Sequence, residues 1–117
     1  MEGNSMYKEV KIGSKLIGMT ANGFTPYLYK ICFREDFLKK VQEASPDPDL
    51  FVKMGFIMAK QAEEKDMQKL MRLDEAAFYK WLADFEDPME PLLATHEISG
   101  VYFRQSGASS VPKNEPG

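Results

Sequence analysis

The chain is 117 residues long, with 15 Lys and Arg against 18 Asp and Glu, one histidine and one cysteine. That length suits one ordinary domain and leaves no room for separate catalytic and regulatory domains. A single Cys32 excludes an intramolecular disulfide, a lone His96 excludes a zinc site built from paired cysteines and histidines, and a net charge of −3 argues against a sequence-independent grip on nucleic-acid phosphates.

The N-terminal Met1-Glu2-Gly3-Asn4-Ser5-Met6 lacks the basic and apolar regions of a signal peptide, and no apolar stretch is long enough to span a bilayer. A cytoplasmic protein is therefore expected, with residues 1–6 flexible, one domain over 7–103 and a disordered tail over 104–117.

Polar and apolar residues alternate from Tyr7 to Ile12, Gly13-Ser14 intervenes, and Lys15 to Thr20 again suit a strand. This predicts a hairpin with a type II′ turn, Gly13 at its first position and Val10 and Ile12 on one face. Thr25 is expected to cap a helix opened by Pro26, with Phe24 stapled onto Tyr29 and with Leu28, Ile31 and Cys32 facing inward. Continued unbroken, that helix would bring Glu35 onto its apolar stripe, so a break is placed between Phe33 and Asp36. Asp36 caps the next helix, which carries Phe37, Val41 and Ala44 inward and stops at Ser45-Pro46-Asp47-Pro48.

Asp47 and Pro48 open a third helix with Leu50, Met54, Ile57 and Met58 inward and Lys53 and Lys60 left to water. After the charged run Glu63 to Lys65, Met67, Leu70 and Met71 suggest a short helical segment. Asp74 then caps the clearest helix, where Phe78, Trp81, Leu82 and Phe85 recur at i, i+3, i+4 and i+7. A last helix is expected to start at Pro91 and to run through Leu92, Leu93, Ile98 and Val101 to about Phe103, with a tail rich in Ser, Gly and Pro after it. The fold class is α+β, predominantly α: an N-terminal hairpin followed by a bundle of four to five helices.

Asp84, Glu86, Asp87 and Glu90, with His96 near in sequence, form the grouping best suited to a hard cation, and would support a small carboxylate-metal phosphoesterase. They lack the fixed carboxylate spacing of a known metal loop, so helix capping is the preferred reading and no catalytic residue, metal or cofactor is assigned. Of the eight methionines, Met54 and Met58 belong to the core stripe, while Met67, Met71 and Met89 are placed for an interface. Residues 1–62 hold 9 Lys and Arg against 7 Asp and Glu, and residues 63–117 hold 6 against 11. The acidic second half can steer a basic partner segment.

Several segments, in order, carry a resemblance. Val10-Lys11-Ile12-Gly13-Ser14-Lys15, Thr25-Pro26-Tyr27-Leu28-Tyr29-Lys30 and Phe33-Arg34-Glu35-Asp36-Phe37-Leu38 are followed by Asp49-Leu50-Phe51, by Met58-Ala59-Lys60-Gln61-Ala62 and by Phe78-Tyr79-Lys80-Trp81-Leu82-Ala83-Asp84-Phe85-Glu86. Together they resemble the small tail assembly chaperones of long-tailed, siphovirus-type bacteriophages and prophages, over about residues 8 to 103. Two departures stand out: Arg34-Glu35-Asp36 occupies a place where many relatives carry Gly-Arg-Asp, and residues 64–74 exceed the usual connection.

The resemblance implies a non-enzymatic protein of the bacterial host cytoplasm, absent from the mature virion. It would bind the phage tape measure protein while tail tube protein polymerises, with self-association possible and neither nucleic acid nor membrane as partner. It also implies the short form of a frameshifted pair, with Pro112-Lys113-Asn114 encodable as a slippery site and the frameshift at Lys113 and Asn114. Leu92, Leu93, Val101, Tyr102 and Phe103 are the residues assigned to the client. A generic regulatory interaction module remains the other non-enzymatic reading.

Overall fold

A β-hairpin opens the fold. Strands β1 (Met6–Ile12) and β2 (Lys15–Ala21) pair antiparallel with Ile12 opposite Lys15, so Gly13-Ser14 alone makes the turn. This computed structural model describes residues 6–43 and 45–107, with side chains described for 7–43 and 45–103. Gly13 takes φ 64°, a backbone conformation that favours glycine, and the flexible Glu90 carboxylate lies over the space a Cβ would take. Val10, Ile12, Met19 and Ala21 point inward and are buried, as period-two alternation requires.

Helices follow: α1 (Thr25–Phe33), α2 (Phe37–Val41), α3 (Pro48–Glu63), α4 (Met67–Leu70), α5 (Glu75–Leu82), α6 (Met89–Leu93) and α7 (Thr95–Gly107). The result is an α+β fold, mostly α. Carboxylates start four of these helices by accepting backbone N–H groups: Asp36 from Lys39, Asp47 from Asp49, Asp66 from Gln68 and Asp74 from Ala77. Helix α3 is the hub. Val52, Met54, Phe56, Ile57, Met58 and Ala59 are all buried on it, and it packs on β2, α1, α5 and α7. Phe56 meets the rings of Phe33, Phe78 and Trp81 at 6.3, 5.5 and 5.6 Å between centroids, and Trp81 meets Phe85 at 5.0 Å.

Some local expectations need correction. Thr25 is not a cap: it is the first residue of α1, Phe24 precedes it without a capping side chain, and the Thr25 side chain is fully buried. On α1 the inward residues are Leu28, Tyr29, Cys32 and Phe33, whereas Ile31 is exposed. Helix α2 ends at Val41, and Ala44 lies outside the described residues. Lys53 and Lys60 are only partly in water: their ammonium groups lie over the rings of Phe33 and Phe56, Nζ 5.2 and 5.9 Å from the centroids.

The expected last helix is two helices. Pro91 sits inside the short α6, where it loses no hydrogen bond because the first turn of a helix has no partners for its amides, and the chain breaks at Ala94 before α7. Helix α7 carries the backbone to Gly107, past the expected start of the tail, and strand β1 takes in Met6. The rest of the expected flexible N-terminus and tail lies outside the described residues.

The break between α1 and α2 is present without glycine. Arg34 takes φ 59° and ψ 35°, and its N–H still donates to Lys30 O at 2.8 Å. A left-handed non-glycine residue costs about 1–2 kcal/mol, and glycine at such a site returns part of that as unfolded-state entropy. Arg34→Gly is therefore expected to stabilise the fold by about 0.5–1 kcal/mol, and Gly13→Ala to destabilise it by about 1–2 kcal/mol or more. Urea denaturation of the two variants checks both signs, and a destabilised Arg34→Gly protein would contradict the first.

Candidate functional site

The acidic segment is built from the end of α5 through α6 into α7. Asp84 follows α5, Asp87 accepts the Met89 amide at 2.9 Å in the turn ahead of α6, and Glu90 turns back over Gly13 of the hairpin. Lys15 reaches the same region and donates to the Asp84 carbonyl at 3.0 Å. Asp84, Glu86, Asp87 and His96 all point to solvent, and no three His, Cys, Asp or Glu side chains among the described residues converge as a cation would need. Asp87 borders the start of α6, its side chain bonding the Met89 amide.

Pro91 and Ala94, by contrast, are buried, and they turn α6 so that Met89, Leu92 and Leu93 face out, with Leu93 77% exposed. These three occupy i, i+3 and i+4, one face of one helical turn. Helix α4 similarly buries Leu70 and exposes Met67 and Met71. All three methionines assigned to an interface are thus on the surface.

The five residues assigned to a client are not one surface. Leu92 and Leu93 are exposed on α6, but Val101 is fully buried on α7. Tyr102 is half-buried, with its ring 5.2 Å from that of Phe37, and Phe103 borders Phe37 and Phe51 at 6.4 Å each. Leu93 and Phe103 stand on different helices, α6 and α7, separated by the break at Ala94. Lys113 and Asn114 lie outside the described residues.

Two polar constellations escaped the sequence reading. Thr25 Oγ1 accepts the Asn22 N–H at 2.8 Å and donates to Gln61 Oε1 at 2.6 Å, while Gln61 Nε2 donates to Asn22 Oδ1 at 3.2 Å. The Asn22-x-x-Thr25 spacing marked a turn, but nothing local announced Gln61 as its partner. The buried Tyr29 donates to Glu35 Oε2 at 2.5 Å, and Lys53 stands 3.6 Å from Glu35 and 3.7 Å from Asp49. A recess of about 230 Å³ opens there, lined by Glu35, Lys40, Glu43, Asp47 and Lys53.

Cys32 is buried among apolar groups near Asp74 and Glu75, and burial above all pushes its thiol up to about 12 from an ordinary 9.0. Burial and the Glu35 hydrogen bond push Tyr29 up as well. Both groups stay protonated in the folded state while the unfolded chain ionises, so stability should fall as pH rises from about 9 towards 12. Tyr29→Phe and Cys32→Ala should each flatten that decline. Thiol reagents at about pH 8 should label Cys32 only after unfolding, and rapid labelling of folded protein would count against a buried neutral thiol.

Comparison of the chain with protein-family models, with curated proteins and with solved structures gives no significant match.

Proposed function

We propose that this protein is a non-enzymatic tail assembly chaperone of a long-tailed phage or prophage, which binds the tape measure protein and assists tail tube polymerisation in the host cytoplasm. The reading rests on the ordered motifs from Val10 to Glu86. One structural observation supports it: a small domain with a closed aromatic core nevertheless presents Met89, Leu92 and Leu93 together on one exposed turn. Apolar side chains spared by the core suit a protein that holds another chain, and methionine adapts to varied surfaces. A long helical client offers many such contacts, so weak single sites can act through avidity.

Among the described residues no helix is long and apolar enough to cross a membrane. The protein is read as the short product of a frameshifted pair, with the slip at Lys113 and Asn114; a coding sequence without a slip-prone heptamer there would remove that part.

Co-expression with the long helical open reading frame encoded beside it is the direct test. Soluble client should rise several-fold over expression alone, and an unchanged soluble fraction would defeat the chaperone reading and leave a regulatory interaction module with another partner.

A further inference from the structure

From Lys80 to Arg104 the chain carries Asp84, Glu86, Asp87, Glu90 and Glu97 and neither Lys nor Arg in between. The described ion pairs lie elsewhere, between Lys53 and Glu35 or Asp49 and between Lys60 and Glu63. None of the five carboxylates joins one among the described residues. Lys15 donates to the Asp84 backbone carbonyl rather than to a carboxylate, so the five acids outnumber the cation that meets them here.

The exposed face of α6 sits inside this stretch. Met89, Leu92 and Leu93 form a ridge at helical spacing, with Glu86 before it and Glu97 after it, both exposed. Exposed apolar side chains flanked along the chain by the exposed Glu86 and Glu97 present a specific chemistry, since a partner must bury apolar surface at the centre and bring positive charge beside it. We infer that the α6 face docks a basic amphipathic helix, an apolar stripe flanked by Lys or Arg, laid against Met89, Leu92 and Leu93 with its cations towards Glu86 and Glu97. The inference takes the helical character of the partner from the chaperone reading; the basic flanks follow from the charge at the site alone. Ridge-into-groove packing accounts for the helix, because side chains at i, i+3 and i+4 fit the grooves of another helix.

The test uses the full chain and two synthetic helices with the same leucine stripe, one flanked by Lys and the other by Glu, followed by fluorescence anisotropy. The Lys helix should bind about tenfold or more tightly than the Glu helix, with the difference shrinking as salt is raised. Leu92→Ser with Leu93→Ser should weaken binding about tenfold or more while the protein still unfolds cooperatively, since Leu93 is 77% and Leu92 38% exposed. Glu86→Gln with Glu97→Gln should narrow the gap between the two helices.

Equal binding of both helices, or undiminished binding by the Leu92→Ser, Leu93→Ser protein, overturns the inference. So does sedimentation showing that the chain dimerises through these leucines, which would make a second copy the occupant. The client assay separates the two levels. Helix binding without any gain in client solubility removes the chaperone reading and keeps the docking face; client rescue that the serine variant fully retains keeps the reading and removes the face.

Discussion

The structure depends on one constraint, that α3 is buried almost all round. Only a helix with apolar residues on most sides can sit at the centre of so small a domain, and Val52, Met54, Phe56, Ile57, Met58 and Ala59 supply them, interrupted by Lys53 and Gly55. Gly55 is the exception because α7 crosses there: a Cβ at that position would stand 3.0 Å from Ile98 Cδ1. Close approach at Gly55 lets Ile98 and Val101 reach full burial, which in turn docks α7. The hairpin also depends on α3, since two strands alone are marginal and their apolar face needs a helix to cover it.

Around this centre the polar groups are placed so that burial does not strand them. Gln61 near the end of α3 is almost fully buried, a position that would destabilise by about 1–3 kcal/mol if its amide lacked partners. Asn22 and Thr25 provide them, and because these two residues also shape the turn between β2 and α1, the same three side chains fix where the hairpin hands over to the helices. Tyr29 plays a comparable part on the other side, its ring buried against Phe33 and Phe37 and its hydroxyl tied to Glu35 just past the helix break. That tie holds the chain through the left-handed Arg34.

How much of this was legible in the sequence follows from the range of each interaction. Asp36, Asp47 and Asp74 act on amides two or three residues away, so their caps could be read directly, as could the turn at Gly13-Ser14 and the inward alternation of Val10 and Ile12. Thr25 has the same local look as those caps, but its hydroxyl is taken by Gln61, 36 residues away, and no local rule sees that. Lys53 and Lys60 were assigned to water by type, whereas their ammonium groups lie over the rings of Phe33 and Phe56. Ile31 yields its place to Tyr29 because the core needed an aromatic ring there, a choice made by packing rather than by period. The methionines expected at an interface are indeed exposed, although Met67 and Met71 share a helical face with the buried Leu70.

The two ends of the client-facing group separate for a reason that helical geometry already contains. At 100° per residue, Pro91, Ala94, Val101 and Tyr102 all lie within about 60° of Ile98, whereas Leu92 and Leu93 lie about 120–140° away. The break at Ala94 leaves that relation essentially intact, since Pro91, Ala94, Ile98 and Val101 are buried and Leu93 is the most exposed large apolar residue among those described. Counting all of these leucines, isoleucines and valines as support for one stripe joined two faces with opposite tasks. Val101 holds α7 to α3 and is unavailable to a partner, while the adjacent leucines could be changed to serine without opening the core. Leu93, and to a lesser degree Leu92, thus escapes the folding constraint that governs α3.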